Sequence, residues 1–134
     1  MNSESETENK PQKGDSVFVY GTLRPGCHAF RLFEGKGELL GQTTLGGAAI
    51  FSLGGFPGLK FEDGSTVIGN LVRVDDESLF ARLDQYEGYP HLYDRRKVET
   101  TDGPAWVYVF NGKVREEHRI VSGDWLNQEY KSGR

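Results

Sequence analysis

Glycine is the residue that most limits what this chain can fold into. There are 18 glycines in 134 residues, against only 5 prolines, and they follow no period. Scattered glycines of this kind supply tight turns and positive-φ positions, so they point to many short elements and a β-rich fold. The segments between them agree. Ser16 to Tyr20 is short and almost wholly apolar, as in a strand covered on both faces. Glu38–Leu45 and Ala48–Leu53 read as two strands parted by Gly46-Gly47. "LGGFPGLKFEDGS" reads as a loop or irregular hairpin turning at Asp63-Gly64, and Thr66–Val74 as a strand with a candidate bulge at Gly69. Leu92–Thr100 and Ala105–Phe110 form a last pair of strands around Asp102-Gly103.

Two segments read as helices. Pro25 opens a short one reaching about Glu34. The clearer one runs from Asp75 to about Tyr86, with acids at its start, Leu79, Phe80, Leu83 and Tyr86 at helical spacing, and Gly88 placed to cap its end. The expectation is one α+β domain over residues 15–130: a small mixed β-barrel of about six strands with two or three short helices packed outside. Residues 1–14 are polar and read as a disordered tail, and "KSGR" at the C-terminus looks the same.

Composition excludes several function classes. The net charge of −4, with no dense Lys/Arg cluster, argues against a nucleic-acid partner. The single cysteine, Cys27, allows no intramolecular disulfide, and no apolar run has the length of a membrane span. With no signal-like N-terminus, these features point to a soluble cytoplasmic protein. Oligomeric state stays open, a monomer included.

The usual catalytic and metal motifs are missing. His28, His91 and His118 lack ligand spacing, so no metal site is expected. Gly21 and Gly26 have the spacing of a P-loop's first glycines, but Cys27-His28 follows where Lys and Ser/Thr are needed. There is no G-x-S-x-G elbow. Cys27 reads as a small, partly buried thiol.

Two stretches remain. "VFVYGTLRPG" (17–26) is a strand that runs into turn residues. Backbone N–H groups in such a turn can bind a carboxylate, although an ordinary strand-to-helix turn is the plainer reading of this spacing alone. "LDQYEGYPHLYDRR" (83–96) places Glu87 at the end of the predicted helix between Tyr86 and Gly88-Tyr89. Helix carbonyls and aromatic neighbours both disfavour its charged form, and a raised pKa suits a general acid/base. The alternative is a solvated acid beside a helix cap. Asp84 reads as a solvent-side helix residue, and Asp94 as a partner of Arg95 or Arg96.

Taken together, in order and spacing, these stretches resemble the gamma-glutamylcyclotransferase-like family, including gamma-glutamylamine cyclotransferases. "FPGLKFEDGSTVIGNLVRVDD", "AWVYVFNG" and "SGDWL" extend the resemblance over about residues 16–126. It implies a surface cavity in which the Tyr20, Gly21, Thr22 and Leu23 backbone binds the α-carboxylate end of a γ-glutamyl group. Glu87 matches the family's catalytic glutamate. The implied reaction needs no cofactor: the substrate's α-amino nitrogen attacks its own γ-carbonyl, giving 5-oxoproline and a free amine. Tyr93, Arg95 and Tyr108 are further candidates for substrate binding. Many members carry an Asn where this chain has Cys27-His28-Ala29. A non-catalytic module binding a small carboxylated metabolite on the same fold is the competing expectation.

Overall fold

A computed structural model describes residues 10–128. Most of the expected polar tail (1–9) and the C-terminal 129–134 lie outside the described residues. The segment just before the domain is tied in: Gly14 N–H donates to Val74 O at 2.7 Å, and Gln12 N–H to the Asp15 carboxylate at 3.0 Å.

Among the described residues, five strands and one α-helix make the fold: β1 Ser16–Val19, β2 Gly37–Ser52, β3 Pro57–Val74, α1 Ser78–Glu87, β4 Tyr93–Thr100 and β5 Gly103–Phe110. Three 3₁₀ turns, His28–Phe33, Glu116–His118 and Trp125–Asn127, complete it. The sheet order is β2-β3-β1-β5-β4. β1 is central, antiparallel to β3 (Val17 opposite Val72) and parallel to β5 (Val17 opposite Trp106). Alternation along β1 sends Val17 and Val19 to one face, against Phe33, Val74, α1 and Trp106. It sends Phe18 to the other, with Tyr20, Leu45, Ile50, Leu59 and Val107. Both faces are therefore apolar, as the uninterrupted run at 17–19 requires.

The expected barrel is not formed: the sheet is open. Its edge strands come near each other where Thr101, just past β4, donates its N–H to Thr44 O at 3.0 Å and the two threonine hydroxyls bond at 2.6 Å. No ladder joins β2 to β4 among the described residues.

The expected six strands become five because glycine here bends strands rather than ending them. β2 runs straight through Gly46-Gly47. Its partner resumes after an excursion, Gly46 opposite Thr66 and Ala48 opposite Phe61. Asp63-Gly64 lies in that excursion and is not a hairpin turn. Positive φ at Gly47 (77°) and Gly64 (90°) allows the bend without breaking either strand. Gly69 is not a bulge either, since it pairs in register with Thr43. It is glycine because a Cβ would sit 2.4 Å from Val19 O and 2.7 Å from the Phe18 ring.

α1 starts later than its acidic prelude suggests. Asp76 stands just outside and accepts from the Ser78 N–H and hydroxyl. Its end is as expected, with Gly88 in the left-handed region (φ 69°). No described helix is long and apolar enough to cross a membrane.

Candidate active site

Where β1 runs out at the sheet's end, the chain borders a cavity of about 400 Å³. Tyr20, Gly21, Thr22 and Leu23 line one part of it. Glu87, the last residue of α1, lines another, with Tyr93 from β4 and Tyr108 from β5. The topology thus brings together residues more than sixty positions apart. His28, Pro57 and Tyr86 also face this space and were not among the expected site residues.

The loop is held from three sides. Gly21 packs against Pro57, whose ring carbons would lie 2.6 Å from a Cβ, so only glycine fits. Arg24 N–H donates to Gly21 O and Cys27 N–H to Arg24 O, forming successive turns. No such turn bond uses the N–H of Gly21, Thr22 or Leu23 among the described residues. The Thr22 hydroxyl meets the Tyr86 hydroxyl at 2.7 Å, linking the loop to α1. Beneath, the buried Arg24 side chain donates to Asn70 at 2.8 Å and Asp124 at 2.6 Å, fastening the loop to β3 and the C-terminal segment. Cys27 is partly buried, as expected of a small thiol.

Part of Glu87 remains exposed, but protein atoms crowd its carboxyl, and this desolvation pushes its pKa up to about 8. No side chain donates a hydrogen bond to it among the described residues. Its charge bears on three tyrosines. Tyr20, Tyr93 and Tyr108 are all raised above the ordinary phenol range, chiefly by burial and further by Glu87; for Tyr108 the Asp84 carboxylate adds more than Glu87 does. Each tyrosine gives its proton elsewhere: Tyr20 to Tyr108 O (2.7 Å), Tyr93 to Pro57 O (2.7 Å) and Tyr108 to Asp84 Oδ1 (2.6 Å).

Asp84 is therefore not the solvent-side residue that sequence alone suggests. It is half-buried and holds both Tyr108 and Arg95. Arg95 does not line the cavity; it pairs with Asp84 and stacks over Tyr89 at 4.0 Å. Asp94 pairs with Arg96 at 2.7 Å, one of the two partners expected for it. One signal for Asp84 was available: it lies three residues before Glu87, on the same helical face. No group of three or more His, Cys, Asp or Glu placed to hold a metal occurs among the described residues.

A cavity with a glycine-containing backbone loop on one side and a desolvated glutamate among tyrosines on the other can be compared with known proteins. Residues 17–127 match the family model described as gamma-glutamyl cyclotransferase, AIG2-like. A Vibrio cholerae protein provisionally named a gamma-glutamylcyclotransferase is 41% identical over 84% of this chain and 96% of its own length. YtfP of Escherichia coli, named a gamma-glutamylcyclotransferase family protein, is 34% identical over 84% and 97%. Its solution structure superposes with a TM-score of 0.66, covering 84% of this chain and 96% of that one. A Niallia circulans protein named gamma-L-glutamyl-butirosin B gamma-glutamyl cyclotransferase is 30% identical over 92% and 87%. Both the Gly21 loop and Glu87 fall inside the matched span, and the chain belongs to the gamma-glutamyl cyclotransferase, AIG2-like family.

Proposed function

We propose that this protein is a cyclotransferase that releases 5-oxoproline and a free amine from a γ-glutamylamine or γ-glutamyl peptide. One observation carries the reading: Glu87 and the Gly21–Leu23 loop border the same cavity. A space of about 400 Å³ is of ligand-binding size. The Niallia circulans relative is named for action on a γ-glutamyl compound, which supports the substrate class.

In the reaction, N–H groups of the loop hold the α-carboxylate of the γ-glutamyl group. The Glu87 carboxylate takes a proton from the α-ammonium, which leaves a neutral amine. That nitrogen's lone pair attacks the γ-carbonyl carbon, forming the fifth ring bond and a tetrahedral oxyanion. As the oxyanion re-forms the carbonyl and the bond from carbon to the departing nitrogen breaks, Glu87 returns the proton to that nitrogen; the freed carboxylate then takes the surplus proton from the ring nitrogen and passes it to the released amine. The nucleophile and electrophile share one molecule, so the protein has only to fold the substrate into a reactive shape. A carboxyl poised near pH 8 can take and give a proton at neutral pH. No step calls on a cofactor.

The test is release of 5-oxoproline from a panel of γ-glutamylamines and γ-glutamyl peptides. Glu87→Gln should lower turnover by about 10²–10⁴-fold, the usual contribution of general acid/base catalysis. Thermal unfolding of the variant checks that it is folded. Equal release by the two proteins sinks the assignment of Glu87. If no substrate turns over while 5-oxoproline or glutamate raises the melting temperature, the cavity belongs to a binding module instead.

A further inference from the structure

A phenol has one proton to give, and its oxygen can also accept. The Tyr93 proton goes to Pro57 O, a carbonyl that can only accept. The Tyr108 proton goes to Asp84 Oδ1, while Asp84 Oδ2 takes Arg95. The Tyr20 proton goes to Tyr108 O, and the Leu59 backbone stands against the same phenol oxygen. Tyr93 and Tyr108 therefore have only lone pairs left for the cavity they line. The Gly21–Leu23 backbone lines the same cavity, and none of its N–H groups enters a turn bond among the described residues. The Thr22–Tyr86 hydroxyl pair differs, because either oxygen there can be the donor.

We propose that Asp84 is a positioning residue that fixes Tyr108 as a hydrogen-bond acceptor, so that Tyr108 and Tyr93 together receive the α-ammonium of the substrate. This rests on the γ-glutamyl reading above. It also assigns the cavity a polarity: acceptors for the ammonium on the tyrosine side, donors for the carboxylate on the loop side. The same wiring keeps Glu87 without a donor. The groups facing Glu87 are Tyr20 from the loop after β1, Tyr93 from β4 and Tyr108 from β5. Tyr86 of its own helix and His28 of the 3₁₀ turn share the cavity, and Asp84 and Arg95 stand behind Tyr108.

Asp84→Asn tests the wiring. An amide has one accepting oxygen, which the donor-only Arg95 claims, and its NH₂ then faces the Tyr108 oxygen. The Tyr108 proton must turn into the cavity, toward Glu87. The ¹³C titration of the Glu87 carboxyl should then move down by about one pH unit, because a donor favours the ionised form. The acid limb of kcat/KM should follow it, and KM should rise about tenfold, as for loss of one hydrogen bond to a charged group. Tyr108→Phe should raise KM similarly without lowering the titration, and should cancel the shift when combined with Asp84→Asn. An unchanged titration and KM in folded Asp84→Asn, or the same downward shift with Phe at 108, overturns the proposal. If Asp84→Asn does not fold, wild-type KM in Tyr108→Phe overturns it and a raised KM without the titration shift supports it. The carboxyl titration needs no turnover, so this result stands apart from the failure or success of the proposed reaction.

Discussion

The Glu87 carboxyl ties the site to stability. In the unfolded chain it ionises near 4.5; in the folded protein burial holds its proton to about 8. Between these values the folded state binds the extra proton, so this residue lowers stability as pH rises through that window, and its full penalty is present above pH 8. Glutamine carries no such penalty. The melting temperature of Glu87→Gln relative to wild type should therefore climb between about pH 5 and 8 and level off beyond, even as turnover is lost. A pH-independent difference would show that the carboxyl is not desolvated. The direction of this shift was legible from the sequence, from Glu87's place at a helix end among aromatics. Burial alone suffices as its cause. Asp84 was not legible in the same way, because its partners, Arg95 and Tyr108, come from β4 and β5, 11 and 24 residues further on.

At the scale of elements, local signals found α1 and its Gly88 cap, β1, β4 and β5. They failed along β2 and β3, where Gly46-Gly47 and Asp63-Gly64 looked like punctuation. A glycine supplies conformational freedom, but only the partner strand decides whether that freedom ends an element or bends it. Gly69 makes the point: nothing in its neighbours in sequence reveals that Phe18 and Val19 press against it from β1. Gly69→Ala should cost about 2 kcal/mol or more in urea unfolding, since a methyl there overlaps backbone. Gly46→Ala, where a Cβ meets nothing within 4 Å, should stay within about 0.5 kcal/mol of wild type. Similar losses at both positions would refute the close-approach explanation.

Over the whole molecule, the sequence indicated an α+β class and a resemblance covering nearly all of the matched residues, but not the open sheet. Closure depends on whether the two edge strands meet along their length, and no local pattern carries that. Long-range ties instead reach the site from the far end of the chain. Arg24 is 3% exposed, and its partner Asp124 lies 100 residues away. Asp124→Ala leaves that guanidinium buried without its carboxylate. It should cost about 3 kcal/mol by calorimetry and raise KM through the loop that Arg24 anchors. A variant as stable as wild type would show the pair to be incidental.

The hairpins β2–β3 and β4–β5 share no ladder among the described residues; four residues of β1 lie between them. Beyond β1, two bonds stitch the two halves together, Tyr93 to Pro57 O at the cavity and Lys60 to Phe110 O, while Tyr20, just past β1, donates to Tyr108 O. A molecule filling that space touches both halves at once and acts as a rivet across the joint. On the proposed function, binding of substrate should stiffen that joint and release of product should loosen it.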